Sequence, residues 1–183
     1  MIYILLADGF EEVEALAPLD ILRRAGKQVQ TVGITGRTVC GAHGITVATD
    51  VPPVEANEKI ELLLLPGGMP GAANLDRSPE AEVLLQKALA DGAHIGAICA
   101  APFILGKRGL LQGVEAVCYP GFEGELQGAL LCPGKRVVTC GRFTTAVGMG
   151  AACEFAVALL QALGEGQKAA EIAAAAFLPE KQA

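Results

Sequence analysis

The chain has 183 residues, 52% of them hydrophobic, enough to fill one compact domain over 1–183, and no charged or Pro/Ser-rich linker divides it. A net charge of −6 without any basic cluster argues against a nucleic-acid or anionic-membrane surface, and two Tyr, six Phe and no Trp supply little for base stacking. The opening MIYILLADGFEEVE has no basic residues before its short apolar run, which falls far below the roughly 20 residues of a membrane span; a cytoplasmic protein is expected.

Ile2–Leu6 reads as a buried strand. Glu11–Ala25 follows as a helix: Val13, Leu16, Ala17 and Ile21 keep a helical period, and Gly26 stops it. Val29–Gly33 is a second strand, and Thr38–Cys40 and Ile45–Ala48 form a hairpin around Gly41-Ala42-His43-Gly44, with His43 as an exposed turn or interface residue. The unbroken Leu62–Leu65 is expected of a strand covered on both faces, and it ends at Pro66-Gly67-Gly68. Ser78 caps a helix that has Pro79 in its first position and runs to about Asp91. Ala93–Ile98 is a strand and Ala100–Lys107 a helix. Val114–Cys118 and Val137–Thr139 are shorter strands, and Gly150–Leu163 and Gln167–Phe177 are helices. Such alternation predicts an α/β fold, a mostly parallel sheet with helices on both faces.

In open sheets of this kind, ligands sit outside the carboxyl ends of the strands. Three chemically unusual loops stand at such ends: Ala7–Glu14, Pro66–Gly71 and Cys99–Pro102. Cys99 is either one more small apolar core residue or a nucleophile. In the second case a helix N-terminus would lower its pKa, and Ala100 and Ala101 would permit a tight turn like a nucleophile elbow. The Gly67 or Gly68 amides could then stabilise an oxyanion together with that of Ala100, though an ordinary flexible turn has the same composition. Glu11 and Glu12 read as acids complementing a helix dipole. Glu14 sits at the apolar boundary of its helix, flanked by Val13 and Ala17, where a carboxyl is pushed towards its neutral form.

The six cysteines, Cys40, Cys99, Cys118, Cys132, Cys140 and Cys153, form no C-x-x-C pair, and only His43 and His94 could join them, so no metal is expected. Gly148-Met149-Gly150 opens a helix like part of a dinucleotide fingerprint, but Cys153 replaces the third glycine. No cofactor is expected.

Taken together, ADGFEEVEALAPLDILRRAG, LLLLPGGMPGAANL, GAICAAPFIL and CEFAVALL resemble the ThiJ/PfpI superfamily, in its DJ-1-like subgroup. The match runs in order across nearly the whole chain. The resemblance implies a flavodoxin-like, class I glutamine amidotransferase-like fold and a homodimer. It puts the family's nucleophilic cysteine on Cys99, its acid partner on Glu14 and its oxyanion amides on Gly67, Gly68 and Ala100. Arg24 matches an arginine near the dimer interface and the pocket mouth. Many members carry a histidine where Tyr119 stands here, and no histidine follows Cys99, so a Cys-His-Glu triad cannot be built in the usual order. The activity implied is that of a glyoxalase or deglycase acting on methylglyoxal or its glycated adducts. The alternatives are a cysteine-based oxidative-stress sensor with chaperone-like output, or another small-molecule hydrolase or hydratase.

Overall fold

In the computed structural model, which describes residues 1–178, the chain runs β1 (Ile2–Leu6), α1 (Glu12–Arg24), β2 (Val29–Gly33), β3 (Thr38–Cys40), β4 (Thr46–Ala48) and β5 (Leu62–Leu65). It continues through α2 (Gly71–Arg77), α3 (Pro79–Ala90), β6 (His94–Ile98), α4 (Pro102–Lys107), β7 (Glu115–Ala116) and β8 (Leu130–Leu131). β9 (Val137–Cys140), β10 (Phe143–Ala146), α5 (Ala152–Ala162) and α6 (Gly166–Ala175) complete it. The main sheet has the order β2-β1-β5-β6-β10-β9, parallel throughout except for β9 against β10.

Side chains alternate across a strand, so each strand feeds two cores. Tyr3, Leu5, Leu63 and Leu65 pack with α2, α3 and α4 on one face. Ile2, Ile4, Leu62 and Leu64 pack with α1, α5 and α6 on the other. The four leucines of β5 are therefore buried on both sides, which explains their lack of alternation. No helix among the described residues is long and apolar enough to cross a membrane.

The chain winds outward from β1 to β2, then crosses back to place β5 on the other side of β1. That reversal opens a crevice beyond the carboxyl ends of β1 and β5. The loops there are stitched together by Glu11 N–H to the Gly67 carbonyl (3.0 Å) and Gly71 N–H to the Gly9 carbonyl (3.1 Å).

Several boundaries differ from those read in the sequence. The Val114–Cys118 strand shrinks to Glu115–Ala116, and α4 begins at Pro102 rather than Ala100 because Cys99–Ala101 is taken up by a turn. Short α2 has no side-chain cap to announce it. β10 is hidden by its two threonines, which look like surface residues yet are buried with their hydroxyls paired: Thr144 Oγ1 lies 2.8 Å from His94 Nε2 and 2.9 Å from Thr139 Oγ1, and Thr145 Oγ1 accepts from Val117 N–H at 2.9 Å. His94 stands at the start of β6, about 13 Å along the strand from its other end at ~3.3 Å per residue. Its burial, aided by the charge of Arg142, pushes its pKa down to about 4.

Candidate active site

β6 ends at Ile98, and Cys99 then takes φ 63°, the left-handed region that side chains other than glycine's enter at a cost of about 1–2 kcal/mol. Both of its backbone groups are clamped: its N–H donates to the Ala146 carbonyl (2.8 Å) and its carbonyl accepts from Tyr119 N–H (2.8 Å). Register explains the first bond, since parallel pairing sets Ala146 beside Ile98. Cys99 as a residue is half-buried.

The turn brings that sulfur to Glu14. This carboxyl is 1% exposed, hydrogen-bonds the Cys99 side chain and accepts from the Gly67 amide at 3.0 Å and from the Met149 amide. Burial, with a further push from the Glu11 charge, raises its pKa to about 7, against the bonds from Cys99, Gly67 and Met149. The amides of Gly68 and Ala100 address the sulfur.

Lowering of the Cys99 pKa by a helix N-terminus is not what the structure gives. Burial, then the Glu14 charge, push it up to about 12, outweighing the two amides. The reason is local: α4 is six residues long and starts three residues later, whereas the carboxyl is in direct contact. The Glu14 contribution exists only while Glu14 is ionised. Once the carboxyl takes a proton the repulsion vanishes, and its O–H donates to sulfur. Thiol with carboxylate and thiolate with carboxylic acid are two placements of one proton in the same contact.

Of the three amides expected to serve an oxyanion, Gly67 N–H is engaged by Glu14, while those of Gly68 and Ala100 face the sulfur. Gly67 is nonetheless required for close approach. A Cβ there would lie 2.6 Å from both the Cys99 Cβ and Glu14 Oε2. Gly67→Ala should therefore destabilise the protein by about 1–3 kcal/mol through overpacking. Urea denaturation checks this; an unchanged midpoint counts against so tight a fit.

Each acid of E-E-x-E has its own task. Glu11 caps α1, its Oε2 accepting from Glu14 N–H at 2.8 Å. Glu12 reaches across to the β3–β4 hairpin, where Oε1 accepts from His43 N–H (2.8 Å) and Oε2 lies 2.9 Å from His43 Nδ1. Burial alone would raise its pKa, but these bonds from His43 and the amide of Ile45 hold it below the usual carboxylate value, and in return the carboxylate raises that of the exposed His43. Simple complementation of the helix dipole is thus too weak a description of either residue. Carboxylate and imidazole atoms of Glu11, Glu12 and His43 lie within 4.8 Å of one another, the grouping among the described residues that could hold a metal ion, but their principal atoms already serve these internal bonds.

Arg24 is not brought to the pair. It lies ten residues beyond Glu14 on the same helix, about 15 Å at ~1.5 Å per residue, and makes an exposed ion pair with Asp20 at 2.6 Å. Tyr119 is brought near: its N–H holds Cys99, and its ring edge and Glu14 Oε1 both approach the open side of Gly148. Neither histidine reaches the sulfur's partner role, with His94 at the far end of β6 and His43 turned to Glu12. Sequence reasoning missed Ala146 and Met149. The glycines around Met149 were visible, and they open a turn whose amide serves Glu14 rather than a nucleotide.

A cysteine in a left-handed turn after a parallel strand, hydrogen-bonded to a buried carboxyl from the first helix, defines a flavodoxin-like α/β protein of the Cys–acid type. The chain belongs to the DJ-1/PfpI family, whose model matches residues 1–162. It is 34% identical over 170 residues to Protein DJ-1 homolog B of Arabidopsis thaliana, covering 91% of this chain but only 39% of that longer protein. A glutathione-independent glyoxalase of Caenorhabditis elegans is 31% identical over 159 residues, 86% of this chain and 85% of the relative. Among solved structures, Toxoplasma gondii DJ-1 in an oxidized form superposes with a TM-score of 0.92 at 34% identity, covering 98% of both chains.

Proposed function

We propose that the protein is a cofactor-independent enzyme of the glyoxalase/deglycase type, converting methylglyoxal and water to lactate through Cys99 and Glu14. The single observation that supports this is the hydrogen-bonded contact between the Cys99 side chain and the buried Glu14 carboxyl, whose pKa burial raises to about 7. With the proton on Glu14, the thiolate adds to the aldehyde carbon, and the new alkoxide takes the proton, giving a hemithioacetal and a Glu14 carboxylate. The carboxylate removes the proton on the thiol-bearing carbon and returns it to the neighbouring carbon through an enediol, forming a lactoyl thioester on Cys99. Water, deprotonated by Glu14, then hydrolyses the thioester and restores the thiol. The amides of Gly68 and Ala100 are placed to steady the oxygen charge that develops. Early adducts of methylglyoxal with amines or thiols would join at the hemithioacetal, the Cys99 thiolate displacing the amine or thiol from the former aldehyde carbon while Glu14 gives the leaving group its proton. The name of the nematode relative agrees with this reading.

A sensor of peroxide is the second reading, since a protonated Glu14 could hydrogen-bond a sulfinate. Burial and the Glu14 charge push the thiol up, which leaves little standing thiolate for direct attack on peroxide unless Glu14 holds the proton. Proton NMR of lactate formed from methylglyoxal tests the proposal: Cys99→Ala should form none above the buffer rate. Equal lactate from the Cys99→Ala protein ends it. Selective gain of two oxygens on Cys99 in mild peroxide, without lactate formation, would instead favour sensing.

A further inference from the structure

Single exposed apolar residues are ordinary on a protein surface, but three on the backbone segments that hold one reactive pair are not. Three such side chains hang from the backbone segments that touch the Cys99–Glu14 pair. Met69 follows Gly68, whose amide addresses the sulfur; Tyr119 carries the amide bonded to the Cys99 carbonyl; Met149 carries the amide addressing Glu14. Their exposures are 52%, 51% and 58%. The strongest geometric fact concerns Gly148. A Cβ placed there would meet Tyr119 Cδ2 at 3.4 Å, Tyr119 Cε2 at 3.8 Å and Glu14 Oε1 at 3.8 Å, the nearest atoms outside its own chain neighbours. An aromatic edge and a Glu14 carboxyl oxygen thus border the same side of Gly148.

Resting on the Cys–acid reading above, we propose that Tyr119, with Met69 and Met149 exposed on the neighbouring segments of the site, is a specificity-determining wall that holds the substituent R of an α-oxoaldehyde R–CO–CHO and favours a flat aryl group over methyl. The carbonyl end belongs to the sulfur and the amides of Gly68 and Ala100, which leaves R directed at the only aromatic surface these segments carry. A tyrosine ring is rigid and offers stacking or edge contact, while methionines adapt to the outline of whatever lies between them. Glu11 at the N-cap of α1, with Glu12 and Glu14 in its first turn, disfavours an R that carries a negative charge.

The test compares kcat/KM for phenylglyoxal with that for methylglyoxal in the parent, Tyr119→Phe and Tyr119→Ala proteins. A second measurement needs no turnover: rates of Cys99 alkylation by 2-bromoacetophenone and by bromoacetone, read by peptide mass mapping so that the other cysteines are counted apart. The aryl-to-methyl ratio should fall about threefold to tenfold in Tyr119→Ala by both readouts and survive in Tyr119→Phe, because ring contact does not need the hydroxyl. The bond that places Cys99 comes from the Tyr119 backbone and persists in both variants. A ratio unchanged in Tyr119→Ala, or an equal fall for both reagents, overturns the wall. Absence of turnover in the parent overturns the proposed reaction alone, since the alkylation ratio still decides the wall.

Discussion

Replacing Glu14 by glutamine is expected to shift the alkylation of Cys99 to lower pH and, in the same protein, to lower methylglyoxal turnover by about 10²–10⁴-fold. The two effects have opposite senses for one reason. Glu14 raises the Cys99 pKa by its charge and its hydrogen bond, so a neutral amide of equal size removes both and leaves burial opposed by the Gly68 and Ala100 amides. The thiolate becomes easier to form. Yet glutamine can neither deliver a proton to the alkoxide nor remove one from carbon, and the hemithioacetal goes no further. In the parent, kcat/KM should rise as pH passes about 7, where the pair releases its first proton. Iodoacetamide rates across pH, read at Cys99, and lactate formation check the two halves separately. A Glu14→Gln protein that alkylates and turns over like its parent would remove the shared proton from the account.

The second large effect concerns stability, where Glu14 and His94 oppose each other. His94 has a folded pKa of about 4 against 6.5 for the free side chain, so its contribution is full above 6.5 and is lost as pH falls towards 4. Glu14 has a folded pKa of about 7 against 4.5, so it favours the folded state most below 4.5, and that contribution is lost as pH rises to 7. Each difference corresponds to about 3 kcal/mol. Between pH 4.5 and 6.5 the two slopes nearly cancel, and the parent's urea midpoint should be almost flat. Glu14→Gln should instead lose stability on acidification, by up to about 3 kcal/mol, and His94→Gln should gain it. Parallel pH profiles for the three proteins would show that neither buried group titrates as described.

Much of the fold is legible because burial and period act locally. Leu62–Leu65 could only be a strand covered on both faces, and Ser78-Pro79 opens α3 with its Oγ accepting from Ala81 N–H at 3.2 Å. What escapes is set by tertiary partners. β10 reads as polar until His94, Thr139 and Val117 N–H are seen to pair with its threonines. The juxtaposition of Cys99 with Glu14 follows from loops at strand ends, but the direction of the thiol's pKa does not, because it depends on which partner is nearest. A helix dipole was the visible candidate; a buried carboxylate in contact is stronger. The same holds for Gly67, whose composition suits an oxyanion amide while its neighbour claims the N–H.

The carbonyl that fixes the Cys99 amide belongs to Ala146, forty-seven residues downstream. During synthesis, a nascent chain that has exposed the cysteine but not yet its late strand has nothing to impose the left-handed turn. The environment that sets the Cys99 thiol apart from an ordinary one is therefore complete only when the sheet closes.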